Sequence, residues 1–376
     1  MDNFSMRRQR LAKMAADEGL DLFVVTNPVN VSYLTNFSGE ASYLLLARNR
    51  TLLVSDGRFT EQLAEECPGL DTHIRPPGQP IGDAAAEIIA KMAVRAVGFE
   101  SGHLAVSEFE TLKQAAPTVD WKGGRDRVEQ LRAVKDDSEI AEIREAIRFA
   151  ERAFNMFRAM LQPDDCEKDL SDALEMYVRR AGGRCSSFPT IVAVGPRAAL
   201  PHAPPTRHQV NEAQLLLVDW GASGRFYKSD LTRVLVPRKN SGLSPATHGH
   251  DLEPKLQEIH EVVLRAQQAA IAALRPGVKS GDVDAAARQV INNAGYGDYF
   301  THSVGHGIGL QVHEFPIMRP KTEILLQAGM VVTVEPGIYL PNWGGVRIED
   351  DVLITPDGRQ VLTQVPKELA TMLVEW

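Results

Sequence analysis

LLLVDWGASGRFYKSDLTRVLVP, residues 215–237, is the stretch on which the fold turns. It reads as two strands joined by a glycine-containing turn. The apolar run LLLV leads straight into Asp219, and Asp230 stands at the head of the second run. A carboxylate that closes an apolar run is costly to bury unless it is paired, hydrogen-bonded or metal-bound. Further along, GMVVTVEPGIYLP (329–341) and GGVRIEDDVLITPDG (344–358) form another such pair, carrying Glu335 and Glu349. The two hairpins thus supply Asp219 with Asp230 and Glu335 with Glu349.

Singly, each acid reads as an ordinary strand-end or turn residue. Together, four carboxylates would repel one another and some would take up protons. A pair of divalent cations removes that repulsion and gives the site a chemical use. His306, in the GHG of 305–307, offers a nitrogen ligand, and the glycines leave the backbone free for close approach. His302 and His306 have the i, i+4 spacing of a helical zinc pair. The three glycines of THSVGHGIGLQVHEFP (301–316) argue against a helix there. Alternation sends Glu349 and Asp351 to one face of their strand and Asp350 to the other, so pattern alone leaves Asp351 competing with Glu349.

Long helical patterns surround the hairpins. They cover 126–161, 167–183, 253–274 and 280–295, and DDSE at 136–139 has the makings of a helix cap. Each half therefore holds at least two helices and one acidic hairpin, which points to an internal duplication with approximate two-fold symmetry. RKNSGLSPATHGHDLE (238–253) reads as an inserted surface loop with His248 and His250 facing solvent.

The first third has another character. LAKMAADEGL reads as a helix, then come DLFVV, YLTNF, YLLLARN and TLLVSD as strand signals, the helical EQLAEE and IGDAAAEIIAKMA, and the strand RAVGFE. This fits a small α/β domain with a largely buried sheet. The change of pattern near 130–136 sets the expected domains at 1–133 and 134–376.

Composition narrows the function classes. A chain of 376 residues, 44% apolar and 24% charged, can bury a large core and is not a disordered one. A net charge of -8 without a basic stripe argues against a nucleic-acid partner. Cys67, Cys166 and Cys185 are too few and too scattered for a disulfide framework. The opening MDNFSMRRQR lacks the apolar run of a signal peptide, and no run of 18 apolar residues suggests a membrane span. A soluble cytoplasmic protein is the expectation.

Several motifs carry a family resemblance. VDWG (218–221), SDLTR (229–233), HSVGHGIGLQVHE (302–314), TVEPGIY (333–339), GVRIEDD (345–351), FPTIVAVGPRAALPHA (188–203) and VSYLTNF (31–37) resemble the pita-bread-fold metallopeptidases of family M24. The likeness is to their Xaa-Pro aminopeptidase and prolidase branch. It implies an α/β N-terminal domain and an α+β pita-bread catalytic domain with pseudo-two-fold symmetry. It also implies five metal ligands, Asp219, Asp230, His306, Glu335 and Glu349, holding two divalent cations, with Glu349 taking precedence over Asp351. Manganese is the expected metal, with cobalt or zinc as alternatives. His202 and His313 correspond to histidines near the substrate, Arg347 to a residue that holds substrate or orients the acids, and Glu335 to the group that moves the proton. Tyr339 is a further candidate, and His302 is left without a role. The implied reaction is removal of the residue before proline from a peptide with proline second. The alternatives are an Xaa-Pro dipeptidase and a non-catalytic binding protein on the same fold. A homodimer is the implied assembly, with neither nucleic acid nor membrane as partner.

Overall fold

The structure is a computed structural model and describes residues 2–238 and 252–375. His248 and His250 of the expected surface loop lie outside the described residues, as does most of that loop. The chain divides into two compact units, Met1–Arg132 and Ala133–Trp376.

The first unit is built on a six-stranded mixed sheet. Its strands are β1 (Leu22–Val25), β2 (Tyr43–Ala47), β3 (Arg50–Asp56), β4 (Asp71–Arg75), β5 (Ala96–Glu100) and β6 (Asp120–Gly124), in the order β4-β3-β2-β1-β5-β6. The helices α1 (Asn3–Asp17), α2 (Pro28–Thr35), α3 (Thr60–Glu66), α4 (Ile81–Lys91), α5 (Val106–Ala115) and α6 (Arg127–Ala133) alternate with them. One strand signal fails. Residues 33–35 of YLTNF belong to α2, which starts with Asn27 capping the Val29 N–H and Pro28 in the first turn, and stops at Asn36 in the left-handed region. Cap chemistry at both ends outweighs the β propensity of the aromatic residues between them.

The second unit repeats one plan. Its first half has α7 (Asp137–Met160), α8 (Glu167–Ala181) and the strands β7 (Cys185–Ser186), β8 (Ile191–Val194), β9 (Leu216–Trp220), β10 (Ala222–Ser223) and β11 (Leu231–Arg238). Its second half has α9 (Pro254–Ala273), α10 (Ser280–Asn293) and β12 (Gly305–Gly307), β13 (Glu314–Met318), β14 (Val331–Val334), β15 (Gly337–Leu340), β16 (Gly344–Arg347), β17 (Asp350–Thr355) and β18 (Gly358–Val361). The main sheets run β19-β11-β9-β8, with β19 (Leu373–Glu375) joining from the C-terminus, and β13-β12-β14-β17-β18. DDSE does cap α7: Asp136 accepts the Ser138 and Glu139 N–H groups, and Glu139 reaches back to the Asp136 N–H. Among the described residues no helix is long and apolar enough to cross a membrane.

Side-chain parity explains how acids enter a core. Leu216, Val218 and Trp220 of β9 pack with α7 and α8, where Trp220 stacks on Phe154 at 4.1 Å. Leu215 and Leu217 face the opposite way, into the cluster shared with α9 and α10, and Asp219 shares their parity. Asp230 likewise shares the parity of Val234 and Val236. The β9–β11 pairing is antiparallel, Leu231 opposite Trp220. The link between them is longer than the simple turn expected, because Ala222–Ser223 leaves to pair with Cys185–Ser186. In the second hairpin β14 pairs with β17, and the β15–β16 ribbon lies between them in sequence. A bridge between Thr232 and Glu349 joins the two sheets. Behind it the buried Arg233 guanidinium donates to the carbonyls of Thr232, Glu349, Val365 and Pro366 and to Asp350.

Candidate active site

The two hairpins meet around one cleft of about 640 Å³. Its floor holds Asp219, Asp230, His306, Glu335, Arg347 and Glu349, and its walls include His202, His302 and His313. All eight residues singled out as catalytic or metal-binding from the sequence therefore line a single cavity. Ligand atoms of Asp230, His306 and Glu349 come within 4.8 Å of one another. Glu335 joins through His306, with Oε1 3.3 Å from Nε2, and Asp230 Oδ2 is 3.8 Å from the same nitrogen. Asp219 is turned to Arg347, with Oδ2 2.5 Å from Nη2. Asp351 lies on this side too, but its Oδ2 accepts the Asp230 N–H at 3.1 Å, and it stands outside the three-residue cluster. Asp350 points away, to Arg233, Gln267, Thr363 and Lys367.

The electrostatics of these acids are unfavourable as they stand. Burial, and then the charges of Glu349, Asp219, Glu335 and Asp351, push Asp230 well above the usual carboxylate range. Burial, and then the charges of Glu335 and Asp219, do the same to Glu349. Asp219 is raised by burial against the pull of Arg347. Burial would raise Glu335 as well, but the hydrogen bond and charge of His306 hold it at about 2. Oδ1 of Asp219, Asp230 and Asp351 is buried with no hydrogen-bond partner among the described residues. A buried polar atom without a partner is rare and calls for an explanation. His306 is prepared on its far side: Nδ1 donates to the Gly307 carbonyl at 3.1 Å, which aims Nε2 at the acids, where it carries a proton in the cation-free protein and would offer a lone pair once that proton leaves. Orphaned carboxylate oxygens, repelling acids and an oriented imidazole fit divalent cations, an oxygen-rich set with one nitrogen.

A hydrogen-bonded chain locks the wall. Arg347 donates from Nε to Thr232 Oγ1 at 3.0 Å, from Nη1 to the Tyr339 hydroxyl at 2.8 Å, and from Nη2 to Asp219. Thr232 Oγ1 in turn donates a hydrogen bond to Glu349 Oε2 at 2.6 Å. His302 Nδ1 donates to the Ser303 carbonyl, so its Nε2 accepts the Tyr339 O–H at 2.8 Å. Burial lowers His302 and lifts Tyr339 to about 12, so both stay neutral near pH 7. His302, unassigned from sequence, is thus a neutral acceptor at the end of this chain. His313 is exposed to the cleft with its ring 4.3 Å from that of His306, and burial followed by the His306 charge lowers its pKa. His202 sits on a strap tied down by the fully buried Glu167 carboxylate. That group accepts from Val194 N, Arg197 Nε, Thr206 N and Thr206 Oγ1.

Two supporting residues escaped the sequence reading. Thr232 lies two residues after Asp230, and Thr333 two before Glu335; Thr333 Oγ1 accepts the His306 N–H and donates to Glu335. The period-two rule that links Arg347 to Glu349 would have found both. The apolar wall residues Phe188, Val312 and Ile317 carried no signal beyond hydrophobicity.

Comparison with known proteins agrees with this geometry. Residues 7–134 match the Creatinase/Prolidase N-terminal domain and residues 141–356 match metallopeptidase family M24. The chain is 33% identical over 367 residues to the Xaa-Pro dipeptidase of Pyrococcus furiosus, covering 96% of this chain and 99% of that one. Its fold superposes on the Xaa-Pro dipeptidase from Bacillus anthracis with a TM-score of 0.90 at 34% identity, over 100% of both chains. The X-Pro aminopeptidase from Thermotoga maritima gives a TM-score of 0.86 at 31% identity, over 98% of this chain and 100% of that one. The acids, the imidazole and the fold that unites them make this chain a member of metallopeptidase family M24.

Proposed function

We propose that this metallopeptidase is an Xaa-Pro aminopeptidase, hydrolysing the bond between an N-terminal residue and a following proline. The observation that carries the reading is the buried cluster of Asp230, His306 and Glu349, extended by Asp219 and Glu335, at the floor of a cleft walled by Phe188, Pro189, Pro201, Val312 and Ile317. Those five polar residues would hold two divalent cations, manganese by preference. Bound there, the cations supply Lewis acidity toward the scissile carbonyl and toward water.

The chain's own groups do the rest. Glu335, beside His306, accepts the proton of the attacking water and returns it to the proline nitrogen. His313 reaches into the cleft and donates to the oxygen of the scissile carbonyl as charge builds on it. His202, across the cleft, contacts the peptide near the cleaved bond. Arg347, held by Asp219, Tyr339 and Thr232, keeps the acids in register. The apolar wall receives a proline ring, whose nitrogen carries no N–H to be satisfied.

The charge of the cleft favours aminopeptidase over dipeptidase. Among its described lining residues the only guanidinium or ammonium is Arg347, and each of its three nitrogens already donates to Thr232, Tyr339 or Asp219. A free Xaa-Pro dipeptide brings a carboxylate that this wall does not pair. The dipeptidase reading is favoured by the names of full-length relatives such as those of the two Pyrococcus species. Manganese-loaded enzyme assayed on Xaa-Pro and Xaa-Pro-Yaa separates them. Higher kcat/KM on the tripeptide is expected, cleavage of the dipeptide alone hands the reading to dipeptidase, and cleavage of neither returns the chain to the binding-protein class. The cytoplasm and a homodimer are the setting we propose. Three cysteines, too few and too scattered for a disulfide framework, support the first, and light scattering tests the second.

A further inference from the structure

We infer that the buried ion pair of Lys135 and Glu314 is a positioning element that sets the turn carrying His313 over the floor of the cleft. The inference rests on the role of His313 proposed above. Lys135 Nζ lies 2.8 Å from Glu314 Oε1, with side-chain exposures of 0% and 3%. Nζ also donates to the Ala133 carbonyl. Removing two charges from water costs several kcal/mol per ion, and a well-packed apolar pair would hold a fold as well or better. Stability alone therefore does not account for this pair, and its surroundings show what else it fixes.

Each partner is tied to a different side of the site. The Lys135 N–H donates to the Gly329 carbonyl and Val134 bridges to Met330, at the entry to β14, which leads to Glu335. Glu314 opens β13 opposite Gly307, where the register shifts just after His306. Its Oε2 accepts the Gln311 N–H at 3.3 Å. The pair crosses directly over Gly309: a Cβ there would lie 2.4 Å from Glu314 Oε1 and 3.1 Å from Lys135 Cε. Gly309 in turn donates to the Gln311 carbonyl and accepts the Lys228 N–H. The turn is thus pinned from beneath by one carboxylate. His313, one residue before Glu314, points the opposite way, into the cleft and against the His306 ring.

The test is a double-mutant cycle on the metal-loaded enzyme. Lys135→Met with Glu314→Leu removes both charges and leaves neither unpaired. Its kcat and KM on Xaa-Pro-Yaa are compared in wild-type and His313→Ala backgrounds, with the melting temperature and a crystal structure of the variant. A melting temperature near wild type is expected, with kcat down about 10- to 100-fold, KM within about threefold, and a His306–His313 ring separation that departs from 4.3 Å. In the His313→Ala background the same change should cost less than about twofold, because its route to the chemistry is gone. Equal losses in both backgrounds, or an unchanged kcat in the first, overturn the inference. If His313→Ala alone keeps full kcat, the role of His313 falls, and an undisturbed ring separation then overturns the positioning as well. Should the double variant not fold, Glu314→Gln takes its place, with a smaller loss in the same direction and the same dependence on His313.

Discussion

Arg347 is the side chain through which the acids of the cleft are held apart and in place. Its three donating nitrogens reach Asp219, Tyr339 and Thr232, and Thr232 reaches Glu349. A lysine offers one ammonium and cannot span those three directions. Arg347→Lys is therefore expected to cost about 3 kcal/mol of transition-state stabilisation, roughly 150-fold in kcat/KM, while Tyr339→Phe, which loses the two hydrogen bonds of its hydroxyl, should cost about 2 kcal/mol. Steady-state kinetics on one Xaa-Pro-Yaa peptide measures both, and an Arg347→Lys enzyme within threefold of wild type would sink the argument. The difference between these residues is also a difference in legibility. Asp219 and Glu335 stand out in the sequence because a charge ends an apolar run, which demands a partner. Tyr339 and His302 do not, since an aromatic ring or a lone histidine serves equally well as packing. Their roles appear only when Arg347 comes between Tyr339 and Asp219, a contact that spans 128 residues of chain.

At the scale of elements, the hairpin of β9 and β11 is the unit that must form for two of the acids to meet. Between Asp219 and Asp230 the chain passes Gly221, where a Cβ would sit 1.9 Å from the Ser229 carbonyl oxygen. That oxygen belongs to backbone and cannot swing aside. Gly221→Ala should therefore destabilise the catalytic unit by about 3 kcal/mol and weaken metal uptake along with it. Thermal melting and titration with manganese read the two effects, and a variant with wild-type values for both would show that the connection yields. The alternation of β9, β11, β14 and β17 and the caps of α7 and α2 are local matters, decided by residues two to four apart. For that reason the long helices of the catalytic unit and both acidic hairpins were readable in advance, as was the outward course of Asp350. The excursion of Ala222–Ser223 to Cys185–Ser186 depends on a partner strand far back in the chain, and the loss of the YLTNF strand depends on caps overriding propensity. Neither leaves a periodic trace.

Across the whole catalytic unit, the clustered acids couple metal, protons and stability. In the cation-free protein Asp230 and Glu349 are raised well above the usual carboxylate range, chiefly by burial, while in the unfolded chain they titrate near 4. The folded state then binds more protons than the unfolded one, and stability falls as pH rises from about 4 through the raised folded values. His260 acts in the other direction. Burial holds it at about 4 against 6.5 when free, so it lowers stability only as pH drops below 6.5. Above 6.5 its contribution is flat, and the raised groups of the cluster, the acids together with His306, set the slope. Divalent cations replace the protons that the acids would otherwise hold, so their binding removes the slope. Melting of the protein between about pH 6.5 and about pH 8.5 should therefore show a falling temperature in the presence of a chelator. With manganese at about 100 times its dissociation constant, the curve should flatten and the unit gain about 2.7 kcal/mol, roughly 5 to 11 °C. Asp230→Asn removes one charge from the cluster, so it should melt higher than wild type in chelator and gain less from manganese. Parallel curves with and without metal would mean that the cations bind elsewhere than among these acids.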